Sequence, residues 1–393
     1  MMNNSTYILS ARRTAIGRFG GALRDVPLRR LGTVALADAI EKSGLSPQDI
    51  QEVLLGNVLQ AGQNNIARFC AVDAKIPFSA PASVINQQCA SGLTAVQHAD
   101  RMIRLGDREV MLAGGLESMS SVPFISRDLR WGARLGNSPM EDELAAGLTC
   151  GLTQLQMGQT AENIARKYSI SRERQDEYAL ESQTKALAAI ENGIFKNEIV
   201  PLEIPQRKGD ALIFETDEHP RQTSIEQLAK LKPAFEEKGS VTAGNASGLN
   251  DGAAALVLAS QKTVEEKNLQ PMARIVATAV TGLEPEVMGL GPISAIQLVL
   301  QKADLKIGDM DLVEVNEAFA VQVLGVLEEV PIAREKLNVN GGGVALGHPV
   351  GCSGARILVA LLYEMTRRNA RYGLAALCVG GGMGSAIIVE RAP

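Results

Sequence analysis

Aromatic side chains are scarce in this chain of 393 residues: they make up 4%, with a single tryptophan. Histidine is scarcer, with only His98, His219 and His348. Basic residues (39) do not outnumber acidic ones (44), and the net charge of −5 argues against a nucleic-acid partner held through its phosphates. No apolar run approaches the ~18 residues that span a bilayer, so no membrane partner is expected. The start, Met1-Met2-Asn3-Asn4-Ser5-Thr6-Tyr7, lacks a basic stretch followed by an apolar one. No secretory signal is visible there, and a soluble, cytoplasmic protein is expected. Five cysteines (Cys70, Cys89, Cys150, Cys352, Cys378) form no CxxC pair, which excludes a zinc ribbon and a dithiol redox motif.

What is abundant is glycine, 38 residues, and a repeated order of elements. Leu31 to Ile50 reads as a helix and a Ser46-Pro47 turn leading into the strand Glu52 to Asn57. Gly291 to Met310 repeats that plan ahead of Leu312 to Asn316. Cys89-Ala90-Ser91-Gly92 opens one helix towards Arg104, and Cys352-Ser353-Gly354-Ala355 opens another towards Arg368. Each helix precedes an apolar strand ending in glycines, Val110 to Gly115 and Ala375 to Gly382. Two related α/β units follow from this order. The stretch from Met119 to Leu249 has no counterpart. It is expected to cap an active site, with helical patterns over Thr160 to Tyr168 and Arg172 to Asn192 and a capping box at Ser224.

Four places carry candidate chemistry. His348 lies in the glycine bed Asn340 to Gly354, away from any amphipathic face, with Pro349 stiffening the next peptide. It is the first group to consider for acid–base work near neutral pH. Cys89 precedes a helical pattern (Leu93, Val96, Ala99, Ile103), where free N–H groups and the dipole favour a thiolate; a buried small hydrophobe is the bland alternative. Cys378 closes a strand before Gly380-Gly381-Gly382, whose N–H groups suit an oxyanion, although an inert core cysteine fits equally well. Asn316 at a strand end is either a ligand to water or carbonyl, or a helix N-cap. Ser247 is open between loop geometry and ligand contact.

Asn86-Gln87-Gln88-Cys89-Ala90-Ser91-Gly92, Asn316-Glu317-Ala318-Phe319-Ala320, Gly341 to Arg356 around His348, and Cys378-Val379-Gly380-Gly381-Gly382-Met383-Gly384 occur in this order. With Ile8 to Thr14 near the start, they make the chain resemble the thiolase family over its whole length, and its acetyl-CoA acetyltransferase members in particular. The resemblance implies an α/β fold of two duplicated core domains in a layered α-β-α-β-α arrangement, plus an inserted loop domain. Residues 1–118, with 250–270 returning to them, would form the N-terminal half, 119–249 the insertion, and 271–393 the C-terminal half.

It also implies roles. Cys89 would accept the acyl group, His348 would take its proton, and Cys378 would exchange a proton with the acetyl methyl. Asn316, through a water, and His348 would steady a thioester oxygen, and the N–H groups of Cys89 and Gly380 the oxygen of the intermediate. Leu148, Met157, Phe235, Ala243, Ser247, Ala318 and Phe319 would line a pantetheine tunnel. Acyl-CoA and CoA would be substrates, with no cofactor and no metal. A homotetramer would form through the insertion, where Val122 to Ile125 and Trp131 are apolar. The implied reaction is the reversible condensation of two acetyl-CoA to acetoacetyl-CoA and CoA; a 3-ketoacyl-CoA thiolase of longer chain preference is the alternative. Gln156 replaces the histidine that short-chain members carry before Met-Gly, whereas Met288 keeps their pattern.

Two rivals fit less well. A malonyl-condensing enzyme would need a second imidazole, and neither His98 nor His219 is suitably placed. A metal site at His348, Cys352 and Cys378 lacks both a helical face at His348 and a fourth ligand.

Overall fold

The computed structural model describes residues 5–59 and 64–392; residues 1–4, part of the stretch read for a secretory signal, lie outside the described residues. Nine strands form one path: β1 (Thr6–Thr14), β2 (Glu52–Gly56), β3 (Ala82–Ile85), β4 (Val110–Ser118), β5 (Asn250–Ser260), β6 (Ala273–Gly282), β7 (Leu312–Val315), β8 (Tyr372–Val379) and β9 (Met383–Arg391). Their spatial order is β7-β8-β9-β6-β1-β5-β4-β2-β3. The repeat read from the sequence is visible in this order. In the early half β2 runs parallel to β4, and β4, β5 and β1 follow antiparallel. In the late half β7 runs parallel to β8, and β8, β9 and β6 follow in the same way. The two half-sheets are joined edge to edge by the pairs Tyr7–Arg274 and Ile8–Ala273.

Seven helices matter for the site: α1 (Leu28–Lys42), α2 (Ser91–Leu105), α3 (Met157–Tyr168), α4 (Arg172–Glu191), α5 (Gly291–Ala303), α6 (Ala320–Glu329) and α7 (Val350–Arg368). Helix α1 covers the outer face of the early strands and α5 that of the late ones, while α2 and α7 pack against each other between the two half-sheets. The layers are therefore α-β-α-β-α. A separate apolar core fills each gap between outer helix and sheet, and a third surrounds the central helix pair. A helix between two sheets must be apolar nearly all round, and α7 is buried from Val350 to Leu362 without a break.

Glycine sets the spacing of the central helices. A Cβ at Gly92 of α2 would lie 2.9 Å from both Ala355 N and Gly351 O, and one at Gly354 of α7 would lie 2.6 Å from Leu93 N. Backbone meets backbone there, which only glycine permits.

The late half joins β8 to β9 by the turn Gly380–Gly382, with φ +85° at Gly381 and Gly382. The early half joins the equivalent β4 and β5 through residues 119–249, which contain α3 and α4 where helices are expected. Ser224 Oγ accepts from the Gln227 N–H at 3.3 Å, one half of the expected capping box. The glycine bed before His348 holds a short helical turn, Gly343–Leu346, where the sequence reads as irregular.

Among the described residues no helix is long and apolar enough to cross a membrane.

Candidate active site

The two central helices bring Cys89 and His348 to the same end of the molecule, each just before a helix N-terminus. Gln88, immediately before Cys89, has φ +48°, a left-handed conformation that a side chain other than glycine rarely takes. The turn is held locally: Ser91 Oγ accepts from the Gln87 N–H at 2.9 Å and donates to Gln88 O at 2.6 Å. The N–H groups of Gly380 and of Cys89 itself point at the Cys89 sulfur. Two donors from different halves of the fold therefore converge on one thiol, the arrangement that stabilises oxygen charge developing on an acyl group attached there.

These donors do not make a resting thiolate. Burial pushes the Cys89 thiol up to about 11, and the charge of Glu117 adds to the rise, while the two N–H donors oppose it without winning. The sequence-based expectation of a helix-start thiolate is corrected here: desolvation outweighs the dipole.

His348 is oriented from three sides. Its N–H donates to Asn250 Oδ1 at 2.9 Å, its Nδ1 meets Ser353 Oγ at 2.5 Å, and its Nε2 lies 3.5 Å from Asn316 Nδ2. The Ser353 hydroxyl donates to Pro349 O at 2.9 Å, so it accepts from Nδ1–H. That assigns the tautomer and leaves the Nε2 lone pair to receive a proton. Burial, helped by the charge of Arg356, drops the imidazole to about 3. Across the neutral range the free site thus holds an uncharged thiol and an uncharged imidazole.

Asn316 follows the end of β7. Helix α6 begins at Ala320 with Phe319 before it, so the N-cap alternative for Asn316 fails. Its Oδ1 is buried without a hydrogen-bond partner among the described residues, an acceptor beside His348 suited to a water or substrate donor. Cys378 is the last residue but one of β8, fully buried, and its thiol is pushed up by burial and then by the nearby Cys89. His348, Cys352 and Cys378 are not gathered into a metal-holding group among the described residues.

A cavity of about 310 Å³ opens on Cys89 and His348. Leu148, Met157, Phe235, Ser247, Ala318 and Phe319 line it as expected from the sequence, and so do Gln156 and Met288. The Phe235 and Phe319 rings meet edge to face at 6.2 Å. Ala243 is not on the wall: it is exposed, its carbonyl accepts from Arg221 at 3.2 Å, and Ala246 stands at the wall instead. Asn316, Cys378 and Gly380 are not among the residues lining this cavity, although the Gly380 N–H reaches Cys89 and Asn316 reaches His348. Sequence reading missed Ser353, Asn250 and Glu117. The signal for Ser353 was its position five residues beyond His348 on the helix that follows; the other two come from distant strands and had none.

Two family models cover the chain, the thiolase N-terminal domain over residues 6–262 and the thiolase C-terminal domain over residues 269–391. The protein belongs to the thiolase family. Among its relatives, the acetyl-CoA acetyltransferase of Chromobacterium violaceum is 51% identical over 98% of this chain and 99% of its own. The crystal structure of the Bacillus anthracis acetyl-CoA acetyltransferase matches with a TM-score of 0.97 and 47% identity, covering 99% of each chain. That of human mitochondrial 3-ketoacyl-CoA thiolase in complex with CoA matches at 0.96 with 43% identity, covering 100% of this chain and 99% of that one.

Proposed function

We propose that the protein is an acetyl-CoA C-acetyltransferase that joins two acetyl-CoA into acetoacetyl-CoA and CoA, and reverses that reaction, through acetyl-Cys89. The observation that carries this reading is the meeting of Cys89, an oriented neutral His348 and two converging N–H donors at one apolar cavity.

In the synthetic direction His348 Nε2 takes the Cys89 proton as the sulfur attacks the thioester carbonyl. The C–S bond to CoA breaks, and CoA leaves with the proton of Cys378. The Cys378 thiolate, balanced by imidazolium, removes a methyl proton from the second acetyl-CoA. The resulting carbanion attacks acetyl-Cys89, whose oxygen charge falls on the N–H groups of Cys89 and Gly380. Acetoacetyl-CoA departs, and the expelled Cys89 thiolate recovers its proton from His348. Asn316, through a water, and His348 steady the thioester oxygen of the second acetyl-CoA. No cofactor or metal is required.

We read a neighbouring groove as the place for the polar end of CoA. Leu249, on the cavity wall, also borders a surface groove with Arg18, His219 and Arg221. Its two guanidinium groups suit phosphates, with Arg18 3.5 Å from Glu218 in the same groove. We further read the exposed Phe124, Leu129, Trp131, Leu135 and Met140 of the insertion as contacts of a homotetramer, to be checked by light scattering of the intact protein.

A 3-ketoacyl-CoA thiolase accepting longer chains is the second reading, favoured by Gln156 on the wall beside Met157. Initial thiolysis rates with 3-oxoacyl-CoA of increasing length separate the two. Incubation of Cys89→Ser with acetyl-CoA should give no mass gain of an acetyl group on the protein, and thiolysis should fall at least ~10⁴-fold. Normal acetoacetyl-CoA thiolysis by that variant would sink both readings.

A further inference from the structure

Glu117, near the end of β4, is fully buried and touches no part of the cavity. Its carboxylate gathers donors from two segments, Asn57–Leu59 and the start of α7. Oε1 accepts from Asn57 Nδ2 at 2.6 Å and the Leu59 N–H at 3.2 Å. Oε2 accepts from the Val58 N–H at 3.0 Å and the Gly351 N–H at 3.0 Å. Among the described residues no lysine or arginine pairs with it. The titratable groups around it are Cys89 ahead of α2, Cys352 on α7, and Asp251 on the neighbouring strand, whose carboxylate turns to Ser120.

Gly351 is the critical partner. It lies in the first turn of α7, three residues after His348, and that helix has Pro349 at its start with no side-chain cap. Such a helix leaves N–H groups unpaired at its positive end. Glu117 supplies the missing acceptor from another strand. The carbonyl of Gly351 is fixed as well: a Cβ at Gly56, Gly92 or Gly115 would come within 2.8, 2.9 or 2.1 Å of it. The glycines set the close approach, and Glu117 sets where along it the helix start rests.

We propose that Glu117 is a positioning residue for the acyl transfer, holding the start of α7, and with it His348, in place against Cys89. The proposal rests on the acyltransferase reading for its catalytic consequence, but its anchoring part can be read by amide exchange without any acyl substrate. Burial lifts the carboxyl to about 7, although its four N–H donors oppose the rise.

Glu117→Ala tests both parts, because it takes the acceptor away from the Gly351 N–H and from the Asn57–Leu59 donors. Amide exchange of peptides covering Val58–Leu59 and Val350–Cys352 should be faster than in the wild-type protein, relative to the rest of α7. The kcat of acetoacetyl-CoA thiolysis should fall at least about tenfold, with KM for CoA within about twofold. Exchange that rises evenly along α7 overturns the anchoring part, and an unchanged kcat overturns the positioning part. If that variant does not fold, Glu117→Asp, which keeps the carboxylate but draws it back by one methylene, carries the same two measurements with smaller effects of the same sign. Failure of the Cys89→Ser test would remove the catalytic consequence and leave the exchange difference standing, so the two failures are distinguishable.

Discussion

The early and late halves repeat the same strands and helices, and they differ where the chemistry is. Asn57 after β2 and Asn316 after β7 occupy equivalent places. Asn57 Nδ2 is held by Glu117 and by Leu116 O, so its amide donor serves the scaffold. Asn316 Nδ2 faces His348 Nε2, so its amide donor serves the site, and the Oδ1 of both asparagines is buried without a hydrogen-bond partner among the described residues. The same division separates the helix starts: one presents a thiol, the other an imidazole. It separates the sheet connections too, three glycines on one side and residues 119–249 on the other. A duplicated scaffold thus becomes a site by giving each copy a different task, tying the asparagine donor to the scaffold in one half and turning it to the imidazole in the other.

Exchanging or deleting the paired residues sharpens that contrast. The largest effect should come from the half whose asparagine faces His348: Asn316→Ala should lower kcat by ~100- to 1,000-fold while the melting temperature stays near wild type. A loss confined to stability would break the comparison. Ser353→Ala leaves His348 Nδ1–H unpaired and the ring free to turn, and kcat should fall roughly ten- to a hundredfold. Steady-state kinetics with an unchanged circular dichroism spectrum checks this. Asn57→Ala in the other half should do the reverse, costing about 1–3 kcal/mol of stability in urea unfolding with kcat reduced only a few-fold. The smallest effect belongs to Gln88→Gly. Relief of the positive φ is set against a more flexible chain, so stability should move by less than about 1 kcal/mol. Acylation should slow measurably because the Cys89 N–H is less firmly aimed.

pH offers another check on the uncharged pair. With His348 depressed to about 3 and Cys89 raised to about 11, alkylation of Cys89 should climb with pH through the neutral range and above. An inflection near the ordinary histidine value would contradict the assignment.

Much of this was legible in the order of residues. The helix from Ser91, the strand–turn–strand around Cys378 and the repeated plan of the halves follow from apolar spacing and glycine placement, which are local properties. Cys89, His348, Asn316 and Gly380 were each visible as unusual residues at element ends. The resting state of Cys89 was not, because a helix dipole is written locally whereas burial is decided by everything packed around it. Glu117 and Asn250 escaped for the same reason: their partners are distant in sequence, at Gly351 and His348. Ala243 failed in the opposite direction, as a loop position whose place on the wall Ala246 takes.

The glycine contacts between the central helices have a consequence for how this site tolerates change. Where two main chains touch, no side chain lies between them to be enlarged, trimmed or rotated. The gap between nucleophile and base is then a property of peptide geometry. Substitutions elsewhere in the apolar cores can drift without altering it, whereas one methyl group at Gly92 or Gly354 would pry the two partners apart.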